Sequence, residues 1–302
     1  GGLRVVASPT LAAGVQSVQE WMRRYPYTCL EQQVSRLVAL RDEKGWKDFA
    51  ATLPAYQDAD GLLKYFPGMP KGSDVLSAYV LAIIHEAGWQ FPGGVQGKLE
   101  TALQRFVDGA LVRDSVLPTT DLALRKVAAI EALSRYGHTT PRLIGSIAIE
   151  PTLWPTSAVL EWWGLLHRMP AVPDRAARLR EAEQIIRARL NHQGTTLGFS
   201  TERADTLWWL MRSPDLNAVR LILHLLETGQ WREDLPRLMR GALARQRRGA
   251  WDLTVANAWG VLAIEKFAAA FEHVPVTGTT SAGLSGVTER LAWATSPTGG
   301  TL

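Results

Sequence analysis

The sequence predicts an all-α protein with roughly twelve helices. Apolar residues recur at steps of three and four, as in Val75, Leu76, Tyr79, Val80 and Ile83, which places them on one face of a helix. Prolines and glycines separate the periodic segments, and several prolines stand where a helix would begin. The chain has a single cysteine, so no disulfide can form within it and the fold must depend on packing.

Short connections between the periodic segments predict antiparallel helix pairs. Such pairs form either a superhelical solenoid or a closed α6/α6 toroid of inner and outer helices. We find no fixed-period repeat that would indicate a solenoid, and the 12 tryptophans suit a layered interior. The toroid is therefore favoured. The remaining periodic segments are 9–24, 29–41, 96–110, 122–133, 155–168, 174–190, 215–228, 234–246 and 254–272.

The two ends of the chain differ from its middle. Residues 3–7 have the pattern of a short strand, and the chain after His273 is rich in Thr, Gly and Ser before a strand-like stretch at 287–293. We therefore predict a strand-like end over 1–8, a helical domain over 9–273, and a polar tail over 274–302 that begins a return β-segment. These ends either belong to a neighbouring β-domain or are frayed termini.

Composition narrows the class of function. The net charge is +4 and the pI about 9.3, but the arginines alternate with acidic residues along helical segments, which is typical of solvated helix faces rather than of nucleic-acid binding. No apolar run approaches the roughly 20 residues that span a bilayer. The sequence has no phosphate loop, dinucleotide fingerprint or metal-ligand spacing. We therefore expect no cofactor and no metal.

The segment Tyr-Pro-Tyr-Thr-Cys-Leu-Glu-Gln at 25–32 carries the most chemical information. Thr28 and Glu31 have the spacing of a capping box, which predicts Cys29 at the first helical position and Gln32 at the fourth. Residues three apart share a helix face, and a helix N-terminus favours thiolate. Attack of that thiolate on the carboxamide would expel ammonia and leave an internal thioester, with Tyr25 and Tyr27 as apolar covers.

The same spacing has a simpler interpretation. A lone cysteine on an amphipathic helix is usually a small core residue, and glutamine is common on exposed faces. Spacing therefore leaves open whether Cys29 is reactive or inert.

Residues 25–32 resemble the thioester signature of the α2-macroglobulin and complement superfamily in its bacterial Cys-Leu-Glu-Gln form. Phe66-Pro67-Gly68 and Ser77-Ala78-Tyr79-Val80 resemble the family's Trp-Pro-Gly segment and Thr-Ala-Tyr helix. Residues 211–215 resemble the segment before a late helix, and 249–260 resemble the Trp-x-x-Thr-x-x-Asn-Ala-Trp helix entry. These blocks follow the family's order and span about residues 9–272.

The resemblance implies a specific function. It implies an α6/α6 toroid inserted into a CUB-type β-sandwich, in a periplasmic protein that is often anchored by lipid to the inner membrane. Proteolysis elsewhere in the full-length chain would expose the thioester, and a lysine of the attacking protease would be acylated by Gln32. The chain would thus be the covalent-capture domain of a protease inhibitor, a trap rather than an enzyme. Its partners would be proteases and the other domains of its own chain.

One departure from the family concerns the nucleophile. Some complement members use a histidine more than a hundred residues after the cysteine to take the acyl group. No histidine lies between His85 and His138, and the comparable position is near Gly145. We therefore expect direct attack by amines, with water as the competitor.

Two rival functions remain. Cys29 could serve an acyltransferase or peptidase, with His85 as its base, or the chain could be a helical interaction module in which Cys29 is inert. Asp58, Asp60 and Glu86 could form a glycosidase acid–base set, although Asp58-Ala-Asp60-Gly61 is more simply a turn.

Overall fold

The computed structural model describes residues 5–11, 13–200, 205–284 and 286–302. Thirteen α-helices form in this part of the chain, together with a short 3-10 helix at Trp208–Leu210 and six short strands. The predicted all-α class is confirmed. The helices are α1 Ala13–Arg24, α2 Leu30–Leu40, α3 Glu43–Ala50, α4 Leu53–Tyr56, α5 Asp74–Ala87, α6 Val95–Val107, α7 Leu122–Ser134, α8 Pro141–Ile144, α9 Thr156–Arg168, α10 Arg175–Ala188, α11 Pro214–Thr228, α12 Leu235–Ala244 and α13 Thr254–Phe271.

Six helices form a closed inner ring. The order around the ring is α2, α5, α7, α9, α11 and α13; each helix contacts the next, and α13 contacts α2. Helices α5, α9 and α13 are buried around most of their circumference, as expected for a helix that is apolar on all sides. The outer helices α1, α3, α6, α10 and α12 pack against this ring. This is the predicted toroid.

The inner helices all run in the same direction. At their starts, Arg125 of α7 binds Asp74 of α5 at 2.7 Å, and the N–H of Asp252, just before α13, donates to Asp215 of α11 at 3.1 Å. At their ends, Arg168 of α9 pairs with Glu227 of α11. The starts of the inner helices therefore gather at one end of the toroid, called here the N-terminal face, and their ends gather at the C-terminal face.

Short antiparallel strands occupy the ends of the chain. Strand β1 Val6–Ala7 pairs with β6 Gly300–Thr301, and β4 Thr279–Leu284 pairs with β5 Val287–Ala292. The strand-like pattern at 287–293 is thus confirmed, whereas Leu3 and Arg4 of the predicted first strand lie outside the described residues. That these ends belong to a neighbouring domain stays a prediction, as do the three segment boundaries.

Some elements were not predicted. A hairpin of β2 Leu190–Gln193 and β3 Thr196–Phe199 follows α10, and only Leu190 of it falls within the predicted helical segment 174–190. Gly194, at φ +59°, supplies the left-handed turn. Helices α3, α4 and α8 are also new, and two of them span a single turn. No helix among the described residues is long and apolar enough to cross a membrane.

A network of buried charges ties the inner helices together towards the C-terminal face. One carboxylate oxygen of Glu131 accepts from Arg135 at 2.6 Å, from Arg168 at 3.0 Å and from Arg220 at 3.1 Å. These arginines hold the pKa of Glu131 well below its usual range, although burial opposes them. Because the charges are removed from water, losing one partner leaves the others uncompensated.

Replacing Glu131 with glutamine is expected to lower the free energy of unfolding by about 3–5 kcal/mol, since it leaves the buried arginines without their shared charge. Urea denaturation measures the change. The matched control is E233Q, because Glu233 is exposed. Equal stability of the two variants would contradict the role given to the network.

Stability is also expected to fall in mild acid because of His224. This residue is 6% exposed, and its ring lies 4.2 Å from that of Trp163. Burial, followed by the charges of His167 and Arg168, holds the pKa of His224 well below its usual value. The unfolded chain therefore binds the proton more readily, so stability declines as the pH falls below about 6.5.

The variant H224F should lose less unfolding free energy than the native chain between pH 7 and pH 5.5. The difference is at most about 1.4 kcal/mol per pH unit, the value for one proton. Urea melts at the two pH values measure it. Parallel losses in both proteins would show that His224 is not the titrating group.

Candidate functional site

Helix α2 begins at the N-terminal face, and Cys29 is its N-cap. Pro26 keeps the preceding chain out of helix, and Cys29 has the extended backbone of a cap, with φ −64° and ψ 164°. The N–H of Leu30 donates to the carbonyl of Tyr65 at 2.9 Å. The start of α2 is thus held by the loop that precedes α5.

The capping box is formed by Cys29 and Gln32, the two residues that the sequence singles out. The Cys29 side chain accepts from the backbone N–H of Gln32, and the Gln32 carboxamide oxygen accepts from the N–H of Cys29 at 3.1 Å. The structure thus brings the two predicted residues together in one helical turn. It fixes the carboxamide beside the backbone of Cys29.

The predicted capping box of Thr28 and Glu31 is wrong by one residue. Thr28 lies outside the helix and is exposed, while its carbonyl accepts from the side chain of Gln33 at 2.8 Å. Glu31 is only 7% exposed and points into the core, so it cannot return to cap the helix start. The reason is tertiary, because the partners of Glu31 lie on other helices.

Glu31 is the centre of a buried set of hydrogen bonds, which we call the Glu31 network: Glu31, Ser35, Tyr79 and Thr254. The hydroxyls of Ser35 and Thr254 each donate to Glu31 at 2.7 Å, and the hydroxyls of Ser35 and Tyr79 are 2.6 Å apart. Burial raises the pKa of Glu31, and the two hydroxyls oppose it only in part. The network joins α2 to α5 and α13. Three of the sequence blocks that resemble the family, 25–32, 77–80 and 249–260, therefore meet next to Cys29.

The Cys29 thiol is more weakly acidic than its helix position predicts. Burial raises its pKa, the N–H of Gln32 lowers it, and the nearby Glu31 raises it again. The helix N-terminus does favour thiolate through these N–H donors, but desolvation is larger. The Cys29 thiol therefore ionises less readily than the sequence-based expectation of a favoured thiolate implies.

Aromatic side chains surround the pair unequally. The rings of Tyr25 and Tyr27 are 5.5 Å apart in an edge-on contact, and Trp21 lies 4.9 Å from Tyr25. Tyr25 is partly buried, and its phenol lies close enough for the charges of Glu31 and Cys29 to raise its pKa beyond the effect of burial. Tyr27 is 63% exposed and contributes little cover in this chain alone.

Tyr65 is a site residue that the sequence did not reveal. It is largely buried, and burial with the charges of Glu31 and Cys29 raises its pKa to about 12. Its position directly before the Phe66-Pro67-Gly68 block is the only available signal.

Other sequence candidates lie elsewhere. His85 is six residues beyond Tyr79 on α5, which is about 9 Å along the helix axis, and its ring packs against Tyr136 near the C-terminal face. It cannot act as a base for Cys29. His138 is exposed and lies 2.6 Å from Glu100.

The glycosidase set is not assembled. Asp58 and Asp60 form the predicted turn, and both bind Arg113 at 2.7 Å, whereas Glu86 pairs with Arg135 near the C-terminal face. Within the described part of the chain no group of His, Cys, Asp and Glu residues is arranged to hold a metal ion.

The N-terminal face carries an apolar rim. Most of the large apolar side chains that are exposed in the described part of the chain lie on the loops that lead into the inner helices. The rim consists of Tyr27, Phe66, Met69, Val112, Val116, Leu117, Leu122, Leu153 and Trp208. The remaining exposed ones belong to the β-rich ends: Val6, Val274, Val276, Leu284 and Val287. These exposed apolar side chains thus gather on the loops at one face of the toroid.

No family model matches the sequence, and no curated protein is similar to it. Solved structures do match. The native conformation of Escherichia coli alpha-2-macroglobulin has a TM-score of 0.65 at 17% identity and covers 99% of this chain and 20% of that one. An Escherichia coli fragment from domain MG7 to the C-terminus has a TM-score of 0.66 at 15% identity, covering 99% of this chain and 49% of that one.

Salmonella alpha-2-macroglobulin reacted with methylamine also matches, with a TM-score of 0.66 at 14% identity over 98% of this chain and 20% of that one. The chain thus spans about a fifth of the length of these alpha-2-macroglobulin chains. The sequence blocks had implied this likeness, and the shared fold confirms it. This chain has the fold of one region of the bacterial alpha-2-macroglobulins.

Proposed function

We propose that this chain is the covalent-capture domain of a protease inhibitor, in which a thioester between Cys29 and Gln32 acylates lysine amines of the attacking protease. One observation carries the proposal. The two side chains lie in one helical turn in which Cys29 is buried and Gln32 half-buried, and the carboxamide oxygen of Gln32 accepts from the N–H of Cys29 at 3.1 Å.

Thioester formation needs only groups that this turn supplies. The sulfur of Cys29 attacks the carboxamide carbon of Gln32, the carbon–nitrogen bond breaks, and the thiol proton leaves with the nitrogen as ammonia. The N–H of Cys29 donates to the carboxamide oxygen and stabilises the charge that develops there.

Capture reverses the roles of the two side chains. A lysine amine attacks the acyl carbon of residue 32, an amide bond forms, and Cys29 leaves as the thiolate and takes up a proton. His85 lies near the other face, and His138 is exposed and bound to Glu100. We therefore propose direct attack by the amine, with water as the competing nucleophile.

Protection from water is proposed to come from two sources. Tyr25 shields the pair within this chain, and Tyr27 contributes together with the rest of the apolar rim once another domain of the full-length protein covers it. The similar structures belong to much longer chains, which supports this role for the rim. Location in the periplasm and a lipid anchor elsewhere in the full-length protein are proposed from the family resemblance alone.

The rival functions have less support. A cysteine acyltransferase or peptidase needs a base beside Cys29, but the thiol accepts from the N–H groups of Gln32 and Glu31, and the nearby Glu31 carboxylate is bound to Ser35 and Thr254. An inert interaction module would explain the apolar rim and the capping box, but not the resemblance of residues 25–32 to the family's thioester signature.

Intact mass tests the proposal. The freshly purified chain should be lighter than its sequence mass by one ammonia, and methylamine should add at residue 32 while releasing one titratable thiol. The C29A variant should have the full sequence mass and take up no methylamine. Q33A is the matched control, because Gln33 is the adjacent carboxamide, and it should still form the thioester. Full mass with a free thiol in the fresh native chain would contradict the proposal.

The Glu31 network is expected to hold the turn in place through hydrogen bonds rather than charge. E31Q keeps an acceptor for Ser35 and Thr254, so most of the chain should still form the thioester. E31L removes the acceptor of the Thr254 hydroxyl, at about 1–3 kcal/mol, and leaves Ser35 with Tyr79 alone, so it should lower the thioester fraction severalfold. The fraction is read from the intact mass. A loss in E31Q as large as that in E31L would indicate that the charge is required.

A further inference from the structure

The chain that leads into Cys29 is held in an unusual way. Residues 25–28, called here the strap, connect α1 to α2 and carry both tyrosine covers. The carbonyls of Tyr25 and Tyr27 accept from one nitrogen of the Arg36 guanidinium, the second at 3.1 Å. The carbonyl of Thr28 accepts from Gln33 at 2.8 Å. Side chains of α2 thus bind three of the four strap carbonyls. Backbone carbonyls outside a helix or sheet need such hydrogen-bond partners.

Arg36 is committed to these carbonyls. No carboxylate within the described ranges forms an ion pair with it, and its Nε is buried without a hydrogen-bond partner there. The Arg36 guanidinium is therefore stabilised by the strap carbonyls. Because its donor is charged, each of these hydrogen bonds is stronger than one between neutral groups.

The strap also has space on its other side. A surface cavity of about 260 Å³ is lined by Trp21, Arg24, Tyr25, Pro26 and Arg248. Tyr25 and Pro26 are strap residues, so a strap released by Arg36 could shift into this cavity without disturbing the core. The residues that bind the strap are separate from the two that would form the thioester.

We propose that Arg36 is a positioning residue that holds the strap closed over Cys29 and so controls how fast water and amines reach the thioester. This inference rests on the function proposed above. Arg36 touches neither reacting atom; it acts through the Tyr25 and Tyr27 carbonyls. The bound strap slows hydrolysis, in which water adds to the acyl group and leaves a free Cys29 thiol and a carboxylic acid at residue 32.

The variant R36M tests this, because methionine keeps an apolar stem and removes both donated hydrogen bonds. Its thioester should hydrolyse about tenfold faster than that of the native chain, the effect of losing roughly one charged hydrogen bond. The rate of methylamine uptake should rise to a similar extent. Both are followed by intact mass, as gain of one water or one methylamine. R36K, which can still donate to the carbonyls, should restore part of the protection.

Two controls separate the strap from general effects. R23M removes an exposed arginine of α1 and should leave both rates unchanged. E131Q is expected to destabilise the toroid far from the strap, and its thioester should hydrolyse at the native rate under conditions where it is folded. If R36M fails to fold, Q33A provides the same test, with a smaller rise expected from the loss of the Thr28 bond.

The outcomes are distinguishable. If the mass of the native chain shows no deficit of one ammonia, the proposed function is wrong, and this inference is wrong with it. If the native chain shows the ammonia deficit but folded R36M and Q33A both hydrolyse at the native rate, this inference is wrong and the proposed function stands. R36M that folds but never forms the thioester also overturns it, because a loosened strap leaves formation intact.

Discussion

The hydrogen bond between Thr254 and Glu31 is the contact on which the arrangement of the site depends. It joins residues 223 positions apart, on the first and last helices of the inner ring. The ring is closed at this seam near the N-terminal face, and Arg41 and Glu265 join the same two helices at 2.9 Å towards the other. Because Glu31 lies between Cys29 and Gln32 in sequence, the contact that closes the toroid also fixes the helical turn that carries these two residues.

The buried polar groups near the two faces of the toroid differ in kind. Towards the C-terminal face, Glu131 and three arginines form a charged network that is costly to desolvate and stable only when complete. Around Cys29 the buried groups are the hydroxyls of the Glu31 network, a carboxyl of raised pKa and a thiol of raised pKa. The N-terminal face also has a buried ion pair, between Arg125 and Asp74, but that pair joins α7 to α5 and not to α2.

Much of the fold could be predicted from the sequence, because ten helices show their apolar period and their breakers. The pairing of Cys29 with Gln32 also follows from local spacing. The cap position could not be predicted, since the local pattern favoured Thr28 and Glu31, and only the hydroxyl of Thr254 explains why Glu31 turns inward. Tyr65 and the hairpin after α10 were missed for a related reason: their positions depend on packing, which leaves no periodic signal.

The spacing of residues along α2 explains how one helix can both pack into the core and carry Cys29 and Gln32. Glu31 and Ser35, four residues apart, point inward and bind across the ring. Cys29, Gln32 and Arg36 follow one another at steps of three and four, so they share the opposite face and meet the strap. A shift of one residue in the start of α2 would move Glu31 out of the position in which Ser35 and Thr254 bind it. The anchoring of Glu31 therefore positions Cys29 and Gln32 for the proposed thioester without contributing an atom to it.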